Sequence, residues 1–441
     1  MKKTLIAVAA AAALTATSAF AEITFGAWLR SALIPVAYDG EDYLGGLTQS
    51  WGGAARTAVL GVNGVSEDGM AGFTFEIRNQ AGEGINMGDR TVTWLKPIEQ
   101  LKLSVGKFDG GDNGFRQGTG FGVWDYVRPS VTTSLFFNGD DGIMDSIGGD
   151  GFMAEIFPIE GFKVMVNVPF LQYKKEVHNW IYDSDAKTWK DDTGTEVEYV
   201  KHAYDIYKKT QIGAAYTIDG TGTLKVLWTG VSEESKIADK KYDYTGKIGV
   251  AFDLTAVENL YLAIGAKFDI VDEDYKVNSI EVDDETGIND YKDWGGAKNK
   301  AYFALNASYK VSDAITFNMN GGVKLFKESG FDPKWGIGAG VDYVIMEGLT
   351  LNADVRYISE TKYSKNGRKI DGNDDSVSFL IGATKTIGSN GNIGIGFQGA
   401  TNGSGFSAFN AYKNKTVDGY TKAGYSDNFA WCVPVMFNLS F

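Results

Sequence analysis

The sequence predicts an all-β fold: a transmembrane antiparallel up-and-down β-barrel of about 18 strands, with 16 as the alternative. Three observations predict it. Apolar and polar residues alternate with period two along the chain, connections switch between short turns and long polar loops, and the last strand alternates up to Phe441. Such alternation sets one side of a strand against an apolar phase and the other against water. Beyond the first residues, no apolar run is long enough for a membrane-spanning helix. A closed barrel spans a bilayer without one, because its backbone polar groups pair between strands.

Residues 1–21 read as a cleaved secretory signal. Lys2 and Lys3 form its charged start, Leu5 to Ala16 its apolar middle, and Ala19-Phe20-Ala21 a small-x-small site before Glu22. Residues 22–441 then read as one barrel domain. Without Lys2 and Lys3 the mature chain carries 40 basic and 56 acidic side chains, a formal charge of −16. That balance argues against nucleic acid as a partner. Cys432 is the single cysteine, so no internal disulfide framework exists and the thiol reads as a small space-filling hydrophobe.

The first strand sets Ile23, Phe25, Ala27 and Leu29 against Thr24, Gly26, Trp28 and Arg30. Phe73, Phe75 and Ile77 then oppose Thr74, Glu76 and Arg78, and Leu101, Leu103 and Val105 oppose Lys102, Ser104 and Gly106. Further along, Leu260, Leu262 and Ile264 oppose Tyr261, Ala263 and Gly265; Leu351, Ala353 and Val355 oppose Asn352, Asp354 and Arg356. Short connections fall near 65–71, 96–99, 158–160, 219–222, 255–258, 312–314, 346–348 and 388–391, rich in the Gly, Pro, Asp and Asn that tight turns use. Long ones fall near 35–53, 80–89, 109–150, 171–204, 231–243, 271–299, 326–334, 359–375 and 400–427. Eight short turns and nine long loops give 18 strands with both termini on the short-turn side, the asymmetry of barrels with short periplasmic turns and long extracellular loops. Residues 131–137 read either as strand or as folded-in loop, and 16 strands follow if one hairpin lies outside the wall. In the closing strand Val433, Val435, Phe437, Leu439 and Phe441 share a face opposite Cys432, Pro434, Met436, Asn438 and Ser440. Pro434 is a misfit there, since proline removes a ladder hydrogen bond.

One hairpin carries a resemblance. Leu60-Gly61-Val62-Asn63-Gly64, the Ser66-Glu67-Asp68 turn and the stretch from Gly72 to Arg78 look like the second-to-third strand segment of the general diffusion porins of Gram-negative-type outer membranes. Phe437, Leu439 and Phe441 are similar to the terminal signal read by the barrel assembly machinery. The resemblance implies an integral outer-membrane protein forming a water-filled channel for passive diffusion of small hydrophilic solutes and ions, in contact with outer-membrane lipid and needing no cofactor. It leaves a homotrimer open. The alternatives are a carbohydrate-selective channel, or an adhesin or structural barrel whose surface loops are the binding surface.

In that family the third long loop folds into the lumen. Here it spans 109–150, carries Asp109, Asp112, Asp125, Asp140, Asp141 and Asp145, and has only Arg116 and Arg128 as basic residues. An ordinary surface loop is the alternative, and the family's acidic loop motif is not reproduced residue for residue. Six of eight arginines precede residue 130, and Arg30, Arg78 and Arg90 fall on the polar face beside Lys102 and Glu76. A permanently charged wall facing an acidic loop would set a transverse field; simple solvation of a wet wall is the plainer reading. Arg56 has the alternation of the outer rim.

Enzymatic readings find little support. His178 and His202 are the only histidines, both in one acidic outer loop and outside the expected strands, so no wall-mounted Ser-His pair exists. The acidic runs 272–274, 283–285 and 371–375 lack the calcium-loop pattern with its Gly and final Glu. Trp28, Trp94, Trp124 and Tyr126 read as interface girdle ahead of the rival reading, a stacking path for sugars.

Overall fold

The computed structural model describes residues 22–38, 40, 42–48, 56–80, 84–110, 146–169, 173–183, 188–198, 209–237, 240–271, 280–283, 288–291, 299–326, 332–359, 362–365, 368–371, 375–401, 414–417, 420–423 and 429–441. The expected signal at 1–21 lies outside them. Eighteen strands form the wall. The first six are β1 (Glu22–Tyr38), β2 (Arg56–Val65), β3 (Ala71–Gln80), β4 (Ile85–Ile98), β5 (Leu101–Phe108) and β6 (Gly149–Ile159). Next come β7 (Phe162–Pro169), β8 (Gln211–Ile218), β9 (Gly222–Ile237), β10 (Lys240–Leu254), β11 (Leu260–Val271) and β12 (Asn299–Lys310). The last six are β13 (Ile315–Phe326), β14 (Lys334–Met346), β15 (Leu349–Ile358), β16 (Ser376–Ile387), β17 (Gly391–Ala400) and β18 (Ala430–Ser440). Each pairs antiparallel with its neighbour in sequence, and β18 pairs with β1 to close the ring. At that seam the Ala27 amide donates to the Phe441 carbonyl (2.9 Å), and the Phe441 amide donates to the Ala27 carbonyl (2.7 Å). A closed ring leaves no sheet edge, so every strand can sit in lipid with its backbone paired.

The polarity of the wall is inverted relative to a water-soluble barrel. Phe25, Leu60, Val105, Ile264, Phe317, Ile381 and Ile395 are exposed on the outer face, Phe25 by 68% and Ile381 by 60%. Glu76, Glu155, Lys225, Lys267, Asn320 and Asp354 are buried on the inner face. Aromatics collect at the strand ends of the outer face. Phe379 stacks on Phe429 at 6.1 Å, Phe397 lies 5.5 Å from Trp431, and Trp335 lies 5.1 Å from Tyr357, all toward the loops. Tyr309, Phe317 and Tyr343 are exposed toward the turns. Amphipathic rings belong at the two membrane–water interfaces.

The eight turns all occur where the alternation breaks, and the turn at 66–70 shows why. The Ser66 hydroxyl donates to Asp68 Oδ1 (2.6 Å), the Met70 amide donates to the same oxygen (2.9 Å), and the Ala71 amide donates to Ser66 Oγ (2.9 Å). Short polar side chains thus complete the backbone's hydrogen bonds where no strand partner remains.

Several long connections differ from the sequence expectation. β9 and β10 run on through the stretch 231–243, pairing out to Ile237 opposite Lys240. Elsewhere the long loops pair with themselves, as Tyr173–Asp183 does with Thr188–Glu198 and Ile280–Asp283 with Ile288–Tyr291. Backbone polar groups outside the wall still need partners, and a local hairpin supplies them. His178 accordingly sits in a strand of the first of these hairpins, where the alternation predicts loop; His202 lies outside the described residues.

Pro434 finds its place at a break in the ladder. Between Leu33 and Val36 the β1 register shifts, and on the other side the recorded pairs jump from Ile395–Val435 to Gln398–Cys432. A residue without an amide proton thus occupies a position where neither neighbour pairs. Cys432 is buried nearby with Ile34, Ala37, Ala400 and Ala430, its thiol 3.7 Å from Gln398 Oε1.

Candidate functional site: the barrel lumen

Cross-strand partners share a face, so the register assigns the lumen residue by residue. Arg30 faces Asn438 and Thr57 in the ladder, which puts it in the inner-face row; its backbone alone is described. Glu76 pairs with Gly61, and Arg78 with Val59, on that same face. Lys102 pairs with Glu155. Asp112, Arg116, Asp125 and Arg128 lie outside the described residues.

A wide bulge in β4 brings the early charges together. The β3–β4 register jumps from Phe75–Thr91 to Ile77–Met87, so Gly88, Asp89 and Arg90 stand against the single residue Glu76. Arg90 reaches Glu76 at 2.9 Å with one guanidinium nitrogen and Asp109 at 3.0 Å with the other. Asp89 is ion-paired with Arg78 and accepts from Lys107 at 3.3 Å. Bulges re-aim side chains in this way. Arg78 and Arg90, two of the arginines expected to oppose an acidic loop across the lumen, are therefore engaged by carboxylates within the wall and at the loop's first residue. Lys102 likewise sits 2.8 Å from Glu155, which also has Lys163 at 3.6 Å.

Both described ends of the third long loop lie against the inner face. The Gly148 amide donates to Gln211 Oε1 (3.0 Å), Asn167 Nδ2 donates to the Gly148 carbonyl (2.9 Å), and Gln211 Nε2 donates to the Ser146 carbonyl (3.2 Å). Asn167 and Gln211 are cross-strand partners on the lumenal side of β7 and β8. Next to them Ile147, 0% exposed, packs in a cluster with the lumenal Met153, Met165, Leu227 and Tyr302. A β-carbon on Gly110 would lie 2.2 Å from Ser146 Oγ, and one on Gly148 would lie 2.8 Å from the Gly110 nitrogen. The two legs of the loop touch, and only glycine permits that approach.

The far wall was less prominent in the sequence. Asn318 donates to Asp342 at 2.9 Å, Asn352 donates to the same carboxylate at 2.5 Å, and the Thr384 hydroxyl donates to Asn352 Oδ1 at 3.3 Å. Arg356, 1% exposed, donates from Nε to Ser378 Oγ at 3.0 Å. Hydrogen bonds within the wall hold these side chains back from the lumen, each contributing about 0.5–1.5 kcal/mol net. The same alternation that marked Glu76 marks Asn318, Asn352 and Arg356. Asn318 and Asn352 carry no charge, and Arg356 stands far in sequence from the six arginines before residue 130.

Trp28 and Trp94 also face inward, opposite Ser440 and Ser104 respectively. The girdle expected of them is formed by other aromatics. Lys102 and Lys96 place their ammonium groups 5.5 and 5.6 Å from the Trp94 ring, so cations occupy its surroundings.

Among known proteins, the sequence profile of the family described as Porin subfamily (Porin_2) matches residues 181–381, from the first loop hairpin into β16. No curated protein sequence matches. Among solved structures, a triple mutant of the Rh. blastica porin aligns at 14% identity with a TM-score of 0.44, covering 95% of this chain and 100% of that one. OmpT of Vibrio cholerae, folded in vitro and in trimer form, aligns at 13% identity with a TM-score of 0.46, covering 95% and 99%. The chain is thus a closed β-barrel with an apolar outer face and a polar inner face, and over residues 181–381 its sequence is similar to the Porin subfamily.

Proposed function

We propose that this protein is a passive outer-membrane channel through which small hydrophilic solutes and ions diffuse, and not an enzyme. The observation that carries this is the closed ring with ionised residues on its inner face and large apolar residues outside. Water is the medium that such an inner face needs, since buried charge without partners or solvent is very costly. In this reading residues 1–21 are removed on export, residues 22–441 form the barrel, and Phe437, Leu439 and Phe441 present the signal for the assembly machinery. Outer-membrane lipid covers the apolar band, with a homotrimer as the assembled form. The third loop, 109–150, narrows the lumen: the seating of Ile147 and the Gly148–Gln211 bond support an inward course. Arg78, Arg90, Glu76 and Asp109 then line the rim of the constriction as ion pairs.

Planar-bilayer recording of the refolded mature chain tests the reading. Discrete ohmic steps are expected, together with swelling of liposomes in isotonic small sugars. A folded barrel that inserts without any conductance would refute it.

A further inference from the structure

Arg78 and Arg90 are held by neighbouring carboxylates, and the lumen carries a second set of cations. One ladder row on the inner face starts at Lys102 in β5 and passes Glu155 in β6; it goes on to Lys267 in β11, Lys324 in β13 and Lys334 in β14. In the row directly beneath, Lys163 and Lys225 stand on β7 and β9, two strands apart. Strand tilt makes such a row climb the barrel. Lys102 is the second residue above the 99–100 turn, and Lys334 is the first residue of β14, at the loop end. The six lysines therefore form a spiral from one mouth of the barrel to the other.

Among the described residues, the register turns Glu155, Asp253 and Asp269 inward beside this spiral, and Asp342 inward near the turn end of β14, eight residues along the strand from Lys334. Asp253 lies 2.6 Å from Lys225, and Glu155 is shared by Lys102 and Lys163. The chain as a whole carries a net charge of −14, so the track reverses the sign of the molecule. Lys324 and Lys334 are direct cross-strand partners. Like charges directly opposite one another destabilise a sheet, and a small anion between them relieves that repulsion. Lysine also suits transit better than arginine, because a flexible point charge binds an anion without a fixed bidentate clasp. Conduction requires several such weak sites in succession.

We infer that the spiral from Lys102 to Lys334 is an anion track, making the channel selective for small anions over cations. The inference rests on the channel reading above and deepens it by naming the solute class. Refolded full-length mature protein in planar bilayers under a KCl gradient tests it. The reversal potential should have the sign of chloride permeation. The double variant Lys324→Gln/Lys334→Gln and, separately, Lys163→Gln should each lower the chloride-to-potassium permeability ratio, the double variant by about twofold or more. Lys385→Gln, at the 388–390 turn and on the outer face, should not move it. A cation-selective wild type, or a ratio unmoved in both lumenal variants, would overturn the track while leaving the channel intact. Absence of conductance in the wild type overturns the channel reading and the track with it.

Discussion

Asp68 shows how a single side chain is tuned by its turn. The Ser66 hydroxyl, and after it the Met70 amide, hold its carboxyl below the usual aspartate range by binding the charged form. A folded-state value below the unfolded one means the turn gains stability above roughly pH 3.9, and loses it as the pH falls through the lowered value. In isotope-labelled micelle samples Asp68 should titrate below an exposed aspartate, and Ser66→Ala should raise it toward the ordinary value. An unchanged titration in Ser66→Ala would remove the hydroxyl from the account. Ile147 has a larger effect to lose. Truncation to alanine in its lumenal cluster should cost about 2–5 kcal/mol of packing, unseating the loop leg. Noisier open-channel current is the expected readout, and a trace identical to wild type would mean that Ile147 is not the anchor.

At the scale of elements, local chemistry explains the turns better than the loops. The turns at 66–70, 219–221 and 388–390 combine Gly, Asp, Asn and Ser in tight reversals, so they are visible in any window of the sequence. Long polar stretches lack such a mark. The continuation of β9 into β10 was hidden because polar residues occupy both faces once the hairpin rises beyond the apolar band. Bulges were equally hidden: Arg90 meets Glu76 and Asp109 because three residues of β4 stand against one of β3, a count that depends on the partner strand. The Pro434 gap makes a sharp forecast. Pro434→Val should change stability by less than about 0.5 kcal/mol, as at other undemanding sites. Val435→Pro, one residue along at a position paired with Leu33 and Ile395, should cost about 1–3 kcal/mol for the orphaned ladder group. Urea unfolding in vesicles separates the two, and equal losses would mean that the ladder gap is not what accommodates proline.

For the whole molecule, the governing fact is that one face of the sheet is apolar and the other polar, and in the channel reading the first meets lipid and the second water. Ile381 is exposed at the middle of β16, so Ile381→Arg should cost about 2–4 kcal/mol at the bilayer midplane. Ser308→Arg, on the inner face of β12, should be tolerated and show itself in ion selectivity instead. Equal destabilisation by both arginines would contradict the inside–outside assignment. The aromatic girdles obey the same rule. Trp335, Tyr357, Phe379 and Trp431 lie outward near the loop ends, whereas Trp28 and Trp94 lie inward, because parity within the strand sets the face whatever the residue type.

Sequence alone determined the class of fold, a count of about 18 strands with 16 as the alternative, and the polar face of the strands with clear alternation, because period-two alternation and turn chemistry are properties of neighbouring residues. It also put Glu76, Arg78 and Lys102 on one side of the sheet. Tertiary structure decided who meets whom. The Arg90–Glu76–Asp109 cluster, the seat of Ile147 among Met153, Met165 and Tyr302, and the lysine spiral from Lys102 to Lys334 all follow from bulges and from the shear of the closed ring. Shear is the sum of eighteen registers around the barrel, and no single strand carries it.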